Sequence, residues 1–191
     1  GRRLEHGRLE LRHRLGRAHV GPHEAGRLDY GIGLDLDLVA AADPEEVERL
    51  VHSTGFYRQK AKNIVAMAQD LVEHHAGEVP TELADLVKLP GVGRKTGNVV
   101  RSVVFKLPGL PVDTHVGRLA RRLDLTREED PVKVELELNR LIPPDLRGDF
   151  SLFLILHGRR VCPSRKPRCA ACVVSDICPA AGTGEPRFTR K

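Results

Sequence analysis

The sequence predicts an all-α fold, and three observations carry that prediction. Apolar residues make up 40% of the 191 residues, and with five Phe, two Tyr and no Trp the core must be mainly aliphatic, which suits helix packing. Helix-starting signals recur along the chain, and two of them are Asp-Pro pairs. After residue 40 we find no convincing strand and no repeat of about 20–50 residues.

The first half of the chain predicts four helices. Asp43 can accept hydrogen bonds from the first free N–H groups of a helix, and Pro44 has its φ angle preset for the first helical position. Apolar stripes and stopping glycines then give helices over 44–55, 57–75, 80–87 and 94–105.

The second half predicts three more helices. Residues 106–112 contain two prolines and a glycine and form a loop. Asp113 is placed to cap a helix through Leu123, and Asp130-Pro131 starts another that ends at Leu141. After the break at Pro143-Pro144, residues 150–160 form an apolar helix.

The predicted domain division has four parts. Residues 1–38 form an atypical N-terminal segment, 39–142 a helical domain with a helix-hairpin-helix at about 83–102, 143–182 the last helix and a cysteine loop, and 183–191 a basic tail. The first segment is rich in Arg, Gly and His and holds four of the nine His. Disorder, a frameshifted or misassigned start and real divergence are its alternative explanations.

Within that segment, one fragment has a strand-like pattern. Leu34, Leu36 and Leu38 alternate with Asp35 and Asp37, as they would on a half-buried strand. No second strand is available nearby to pair with this fragment.

Charge and hydropathy bound the partners. The net charge of +5 and the pI of about 9.2 are compatible with a nucleic-acid partner. No apolar run reaches the roughly 18–20 residues that span a membrane, and no apolar region follows Arg2 and Arg3 as in a signal peptide. We therefore expect a cytoplasmic, nucleoid-associated protein with no membrane partner, whose cysteines are ligands rather than disulfides.

A glycine hairpin is the first candidate site. Gly91 and Gly93 bracket Val92 directly before a helix that opens at Arg94, so backbone N–H groups and the positive helix end can meet an anion such as a DNA phosphate. The alternative is a plain corner between two helices. The predicted contacts are Gly91, Val92, Gly93, Arg94 and Thr96.

Lys95 and Asp113 are the candidate catalytic residues. Lys95 lies in the first turn of the helix after the hairpin, where the helix dipole disfavours a cation, as suits a nucleophilic amine. The alternative is an ordinary solvated lysine. Asp113 follows 18 residues later, and a role as N-cap alone is its alternative.

The third candidate site is the cysteine loop, with the pattern C-x6-C-x2-C-x5-C. Only Cys169 and Cys172 form a zinc-type knuckle, so the uneven spacing favours a 4Fe–4S cluster, with zinc as the alternative. Arg165, Lys166 and Arg168 make the loop a second candidate phosphate contact, or a solvated charged loop. The predicted metal ligands are Cys162, Cys169, Cys172 and Cys178.

Together these parts resemble the endonuclease III family of helix-hairpin-helix DNA glycosylases. The resemblance covers residues 40–179, and Lys95 distinguishes the chain from adenine-specific mismatch glycosylases, which share the cysteine pattern and lack that lysine. The segments that carry it are STGFYRQKAKNI, LPGVGRKTGNVV, VDTHVGRLARRLDL, HGRRVC and the cysteine loop.

The resemblance implies a bifunctional DNA glycosylase and abasic-site lyase that flips out oxidised pyrimidines. Lys95 would attack C1′ and form a Schiff base, Asp113 would assist, and His115 would contact DNA. The resemblance also implies a structural 4Fe–4S cluster, and we expect a monomer that binds damaged or abasic double-stranded DNA.

The chain also departs from the family pattern. Gly97 stands where the family usually has Ala. The family normally has a helix with a Leu-Ser-Ala-Gln-x-Thr-Asp motif in the region of residues 1–38, but this chain lacks the motif and has no Gln before Gln59. Three hypotheses therefore stand: the active enzyme, a non-catalytic DNA-binding iron–sulfur protein that has lost the family's N-terminal helices, and a zinc-bound structural module without a DNA role.

Overall fold

The computed structural model describes residues 35–186, and every regular element in that range is helical. The all-α prediction is thus confirmed there. Contacts divide the chain into two compact units, Gly1–Val92 and Gly93–Lys191, so the boundary falls within the predicted helix-hairpin-helix. The sequence-based division of the chain into four parts stays a prediction.

The described part of the first unit contains four helices. They are α1 (Leu36–Ala40), α2 (Pro44–Val51), α3 (Tyr57–His75) and α4 (Leu83–Leu86). Helices α1 and α2 both pack against α3, which is the longest of the four. Val47 of α2 and Ala61 and Val65 of α3 are buried against one another. This small aliphatic core explains why the predicted helical stripes form helices in the protein.

The strand-like interpretation of residues 34–38 is wrong. Residues 36–40 form α1, and Oδ1 of Asp35 accepts a hydrogen bond from the backbone N–H of Leu38 at 3.1 Å. The side-chain amide of Gln69 donates to the carbonyl of Ala40 at 2.9 Å and ties α1 to α3. A cap and tertiary packing override an alternation only five residues long. Leu34 and the rest of residues 1–34 lie outside the described range.

The second unit contains four further α-helices in its described part. They are α5 (Arg94–Val99), α6 (Thr114–Arg122), α7 (Pro131–Leu141) and α8 (Arg147–Arg160), with a π-helical segment Val100–Val104 and 3₁₀ turns at Pro144–Leu146 and Cys169–Ala171. Within residues 35–186 no helix is both long enough and apolar enough to cross a membrane.

Helix α6 lies at the centre of the second unit and packs against α7 and α8. Its apolar face is almost completely buried, with Val116 and Ala120 at 0% exposure. The buried cluster consists of Leu110, Val112, Val116, Leu119, Ala120, Val134, Leu138 and Leu154. Since Asp113 lies directly before α6 and His115 lies in its first turn, this core fixes the position of both predicted site residues.

The predicted helix starts at Asp43, Asp113 and Asp130 are confirmed. Asp43 caps α2 by accepting from the N–H of Glu45 at 3.0 Å. Asp113 and Asp130 each accept two backbone N–H bonds at the starts of α6 and α7, at 2.8–3.0 Å. Short-range capping is encoded within three residues, which is why the sequence could predict it.

Helix α2 ends at Val51 and α4 spans Leu83–Leu86, so both are shorter than the predicted helices over 44–55 and 80–87. Two further helices also differ from their predicted form. The helix over 94–105 becomes π-helical from Val100, where the hydroxyl of Ser102 donates to the carbonyl of Asn98 at 2.9 Å and competes with the regular backbone ladder. Helix α8 begins at Arg147, three residues before the predicted start. The 3₁₀ turn Pro144–Leu146 continues directly into this helix. The guanidinium of Arg147 donates to the carbonyl of Asn139 at 2.7 Å and ties the start of α8 to α7.

Candidate functional site

The glycine turn begins at the end of the first unit. Gly91 has a φ of +78°, and a Cβ atom there would lie 2.7 Å from Nδ2 and 2.8 Å from Cβ of Asn63. The N–H of Val92 donates to the carbonyl of Leu89 at 3.0 Å and closes the turn. Position 91 therefore accepts only glycine without strain.

Lys95 lies in the first turn of α5, as predicted, and it is exposed. Gly93 precedes this helix and has no side chain that could cap it, and Thr96 is also exposed. The first backbone bond of the helix runs from the N–H of Gly97 to the carbonyl of Gly93 at 2.9 Å. The N–H groups before it face the open end of the helix, where a ligand can bind them.

Arg94 is occupied by a partner that the sequence did not predict. Its Nε and Nη2 atoms donate to the two carboxylate oxygens of Glu135 at 2.7 and 2.9 Å. Hydrogen bonding to this nearly buried carboxylate raises the pKa of Arg94 above its ordinary value. The pair ties α5 to α7. The charge of Arg94, a predicted DNA contact, is therefore compensated within the protein.

Asp113 is half-buried at the start of α6. Its Oδ1 atom accepts both capping bonds, from the N–H groups of His115 and Val116 at 2.8 Å each. The Oδ2 atom has no hydrogen bond to any residue in the range 35–186. One carboxylate can therefore cap the helix with one oxygen and leave the other available for chemistry.

His115 lies against the end of α8. Its Nδ1 is 3.1 Å from Nη2 of Arg118, and Gly158 provides the space for the imidazole, since a Cβ there would lie 3.0 Å from the same nitrogen. Arg118 also donates to the carbonyls of Gly158 and Cys162 at 3.1 and 2.9 Å. Burial lowers the pKa of Arg118, and the neighbouring charge of Arg122 lowers it further. These contacts join the start of α6 to the cysteine loop.

The four cysteines meet in one place. All four are half-buried free thiols without a disulfide, and all four line a single cavity of about 490 Å³. In the described range no group of three or more His, Cys, Asp or Glu converges closely enough to bind one metal ion. Leu119 of α6, Leu123 directly after it, and Phe153 and Leu154 of α8 also line the cavity.

The basic loop over residues 163–168 is closed at its base. The N–H of Arg168 donates to the carbonyl of Val161 at 2.9 Å, and the guanidinium of Arg168 donates to the carbonyl of Arg160. Arg165 and Lys166 are exposed in the middle of this loop. All three predicted phosphate contacts are thus exposed, and Arg168 also closes the loop through its hydrogen bonds.

Sequence reasoning missed three residues of interest. Glu135 and Arg122 are buried charges whose partners lie about 40 positions away in the sequence, so no local signal identifies them. Phe56 is 90% exposed with a φ of 56° directly before α3. The Gly-Phe-Tyr sequence at the helix start is the only local signal for Phe56. The structure adds that Phe56 has a positive φ, which is unusual for an aromatic residue.

Comparison with known proteins identifies the superfamily of this chain. A model of the family described as HhH-GPD superfamily base excision DNA repair protein matches residues 10–144. The chain therefore belongs to the HhH-GPD superfamily. The match begins inside the segment 1–38, whereas the resemblance described above begins at residue 40.

Three curated relatives of this chain are each named endonuclease III. Endonuclease III of Synechocystis sp. is 48% identical over 77% of this chain and 68% of its own length. Endonuclease III of Thermotoga maritima is 44% identical over 73% and 66%, and that of Escherichia coli K12 is 42% identical over 70% and 64%. The chain thus spans about two thirds of these relatives, and the resemblance to the endonuclease III family is confirmed.

Solved structures agree with the sequence comparison. A non-covalent endonuclease III–DNA complex superimposes with a TM-score of 0.70 at 38% identity, covering 75% of this chain and 67% of that one. A trapped endonuclease III–DNA covalent intermediate gives a TM-score of 0.70 at 39% identity, covering 75% and 68%.

We expect Glu135→Gln to lower the free energy of unfolding by about 1–2 kcal/mol, because it removes the charged acceptor of Arg94 from a nearly buried position. The side chain of Arg94 is 39% exposed, so solvent screening keeps the loss below that of a fully buried pair. Urea denaturation measures it. Lys133→Met is the control: it breaks an exposed 3.6 Å pair with Glu128 and should change stability by less than about 0.5 kcal/mol. Equal effects of the two substitutions would contradict the structural role of Glu135.

Proposed function

We propose that this protein is a DNA base-excision repair enzyme, a bifunctional DNA glycosylase and abasic-site lyase that removes oxidised pyrimidines. The observation that carries the proposal is the exposed amine of Lys95, which directly follows the glycine turn in a chain of the base excision repair superfamily. One similar structure is of a trapped covalent endonuclease III–DNA intermediate, which requires a nucleophile in that relative. We propose the same chemistry for this chain, acting in the nucleoid.

In the proposed reaction Nζ of Lys95 attacks C1′ of the flipped-out nucleoside, and the base leaves with the electron pair of the glycosidic bond and takes up a proton. The C1′–O4′ bond then opens, O4′ takes up a proton, and the C–N bond becomes a Schiff base. Loss of a proton from C2′ expels the 3′ phosphate oxygen by β-elimination, which cuts the strand.

Asp113 is the proposed assistant in this reaction. Its Oδ2 atom is the oxygen that capping leaves available, so it can stabilise positive charge that develops on the sugar or carry protons between steps. Because Oδ1 is held by two backbone bonds at 2.8 Å, the carboxylate does not need to be reordered before it acts.

The proposed partner is double-stranded DNA with a damaged base or an abasic site, bound by a monomer. Backbone groups of the glycine turn and the exposed loop cations would contact phosphates and fix the enzyme on the duplex without reading its sequence. The proposed contacts are Gly91, Val92, Gly93, Arg94, Thr96, His115, Arg165, Lys166 and Arg168. Of these, Arg94, His115 and Arg168 also make the internal bonds described above.

Phe56 adds a contact that the sequence did not predict. It is 90% exposed in the left-handed conformation, and the exposed cations Lys60 and Lys62 lie in the first turns of α3 just beyond it. An apolar ring that protrudes next to positive charge is suited to insert between bases of a bent duplex. Strained backbone at such a position is typical of functional sites.

The four cysteines are the proposed ligands of a 4Fe–4S cluster, which would supply structural support for the loop and no bond cleavage. All four cysteines line one cavity, and the uneven spacing C-x6-C-x2-C-x5-C supports a multi-atom cluster over zinc. Cys162, Cys169, Cys172 and Cys178 would each bind through a thiolate.

We expect borohydride to trap the wild-type protein on a duplex carrying an abasic site or thymine glycol, and Lys95→Ala to lose the adduct because the attacking amine is gone. Denaturing gel electrophoresis of labelled DNA measures the adduct. Lys133→Ala removes an exposed amine on α7 and should trap as well as wild type. Trapping by Lys95→Ala at the wild-type yield would show that another amine attacks. A wild type that binds this DNA without trapping would instead support the non-catalytic iron–sulfur alternative.

Asp113→Asn should separate capping from catalysis. Asparagine keeps an acceptor oxygen for the cap, so stability should change by less than about 1 kcal/mol. The rate of base release should fall by about 10²–10⁴-fold, because the charge and the proton carrier are lost. The matched control is Asp130→Asn, which alters the same two-bond cap on α7. A similar rate loss in both variants would reduce the role of Asp113 to capping.

Phe56→Ala should weaken binding to abasic-site DNA by about 1–3 kcal/mol, the range for the loss of one stacking aromatic. Thermal unfolding should barely change, since the ring is 90% exposed. Fluorescence anisotropy measures the dissociation constant. Leu50→Ala removes another exposed apolar side chain of the same unit, 48% exposed on α2, and should leave it unchanged. Unchanged DNA binding by Phe56→Ala would exclude the insertion.

Anaerobically purified protein should contain about four irons and four sulfides per chain and absorb at about 400 nm. Each Cys→Ser variant should lose iron, because an alcohol replaces a thiolate ligand. Elemental analysis would instead find one zinc per chain if the cysteines formed a zinc site.

A further inference from the structure

Arg122 is a buried cation at the last position of α6, with only 5% of its surface exposed. Its Nη1 atom lies 3.1 Å from Sγ of Cys162 and donates to the carbonyl of Pro163 at 2.8 Å. Its Nη2 atom donates to the carbonyl of Ser164 at 2.9 Å. The carbonyl of Arg122 lies 4.0 Å from Sγ of Cys178, so the residue contacts two of the four cysteines.

The charge of Arg122 needs a negative partner. A guanidinium is a permanent cation, and burying it is unfavourable unless an opposite charge lies close by. Within residues 35–186 no carboxylate lies at ion-pair distance from Arg122, and the polar atoms around it are carbonyl oxygens and a cysteine sulfur. Arg118, a second cation, contacts the carbonyl of Cys162. The wall of the cavity beside Cys162 is thus built for negative charge, which four thiolates would supply.

The same guanidinium also shapes the basic loop. The carbonyls of Pro163 and Ser164 are the first two after Cys162, and the exposed Arg165 follows directly. Two nitrogens in a fixed fork can hold both carbonyls together with the sulfur, an arrangement that a single ammonium cannot reproduce. The direction in which Arg165 and Lys166 leave the protein therefore depends on Arg122.

We infer that Arg122 couples the four-cysteine site to DNA binding: its charge compensates the thiolates, and its fork positions the loop that carries Arg165 and Lys166. This role rests on the proposed function, in which the cysteines hold an iron–sulfur cluster and the loop contacts phosphates. Arg122 is a positioning residue and does not touch the DNA. Its two contributions are separable, because the fork geometry can be removed with or without the charge.

Two substitutions make that separation in the holoprotein. Arg122→Lys keeps the charge and loses the fork, whereas Arg122→Met loses both. The cluster potential, measured by spectroelectrochemistry, should stay near the wild-type value in Arg122→Lys and move to more negative values in Arg122→Met, because a nearby cation favours the more reduced, more negative state. Both variants should bind abasic-site DNA more weakly, and the slope of log K against log salt should fall by about 2 if both loop contacts are lost.

Arg121→Met is the matched control. Arg121 precedes Arg122 on α6, and its guanidinium donates to the carbonyl of Glu128 at 3.2 Å. It has no hydrogen bond to a cysteine in the described range, so potential and salt slope should both match the wild type. The inference would be overturned if both Arg122 variants contain four irons per chain and keep the wild-type cluster potential and the wild-type slope of log K against log salt. If Arg122→Met fails to fold, the DNA affinity of Arg122→Lys tests the inference alone. A wild-type affinity in Arg122→Lys would overturn the inference.

A double-mutant cycle tests whether Arg122 acts through the loop. Arg165→Ala should weaken DNA binding in the wild type and weaken it much less in the Arg122→Lys background, because the contact is already misplaced there. Full additivity would overturn the coupling. Absence of iron from wild-type protein would instead mark a failure of the proposed cluster, and normal trapping by Lys95 would show that the enzymatic proposal survives it.

Discussion

Helix α6 is the element on which both sites of the second unit depend, because its buried face fixes its two ends at once. Asp113 caps its start, and Arg122 contacts the cysteine site from its last turn. Nine helical residues separate these functions by about 13 Å at 1.5 Å per residue. The packing of Val116, Leu119 and Ala120 against α7 and α8 keeps that separation rigid.

Much of the positive charge of the second unit is used inside the protein. Arg94 is bonded to Glu135, and Arg118, Arg122 and Arg147 donate to backbone carbonyls of distant segments. These arginines keep their charge, but their N–H groups are already bonded within the protein. Other cations of the second unit remain exposed, and among them Lys95 in the first turn of α5 and Arg165 and Lys166 on the loop stand at the proposed functional positions.

The sequence predicted the features that are encoded locally. The starts of α2, α6 and α7 follow from Asp and Pro within a few residues, and the sequence placed Lys95 in the first turn of α5. The features that it missed depend on distant contacts or on short competing patterns. Alternating leucines suggested a strand where packing on α3 produces α1, and the pairing of Arg94 with Glu135 spans 41 positions. The same limit hid Arg122, since nothing near it in sequence reveals that it is buried beside Cys162.

The loop between Cys162 and Cys169 is held in place by hydrogen bonds within the protein. The N–H of Arg168 bonds to the carbonyl of Val161, and Arg122 holds Pro163 and Ser164. Ordering a flexible backbone opposes association by about 1–2 kcal/mol per residue. A loop that is already ordered avoids this entropic penalty and loses mainly side-chain freedom, about 0.5–1.5 kcal/mol for each long side chain. Two exposed cations can therefore contribute more to affinity on this preorganised loop than the same residues would on a flexible tail.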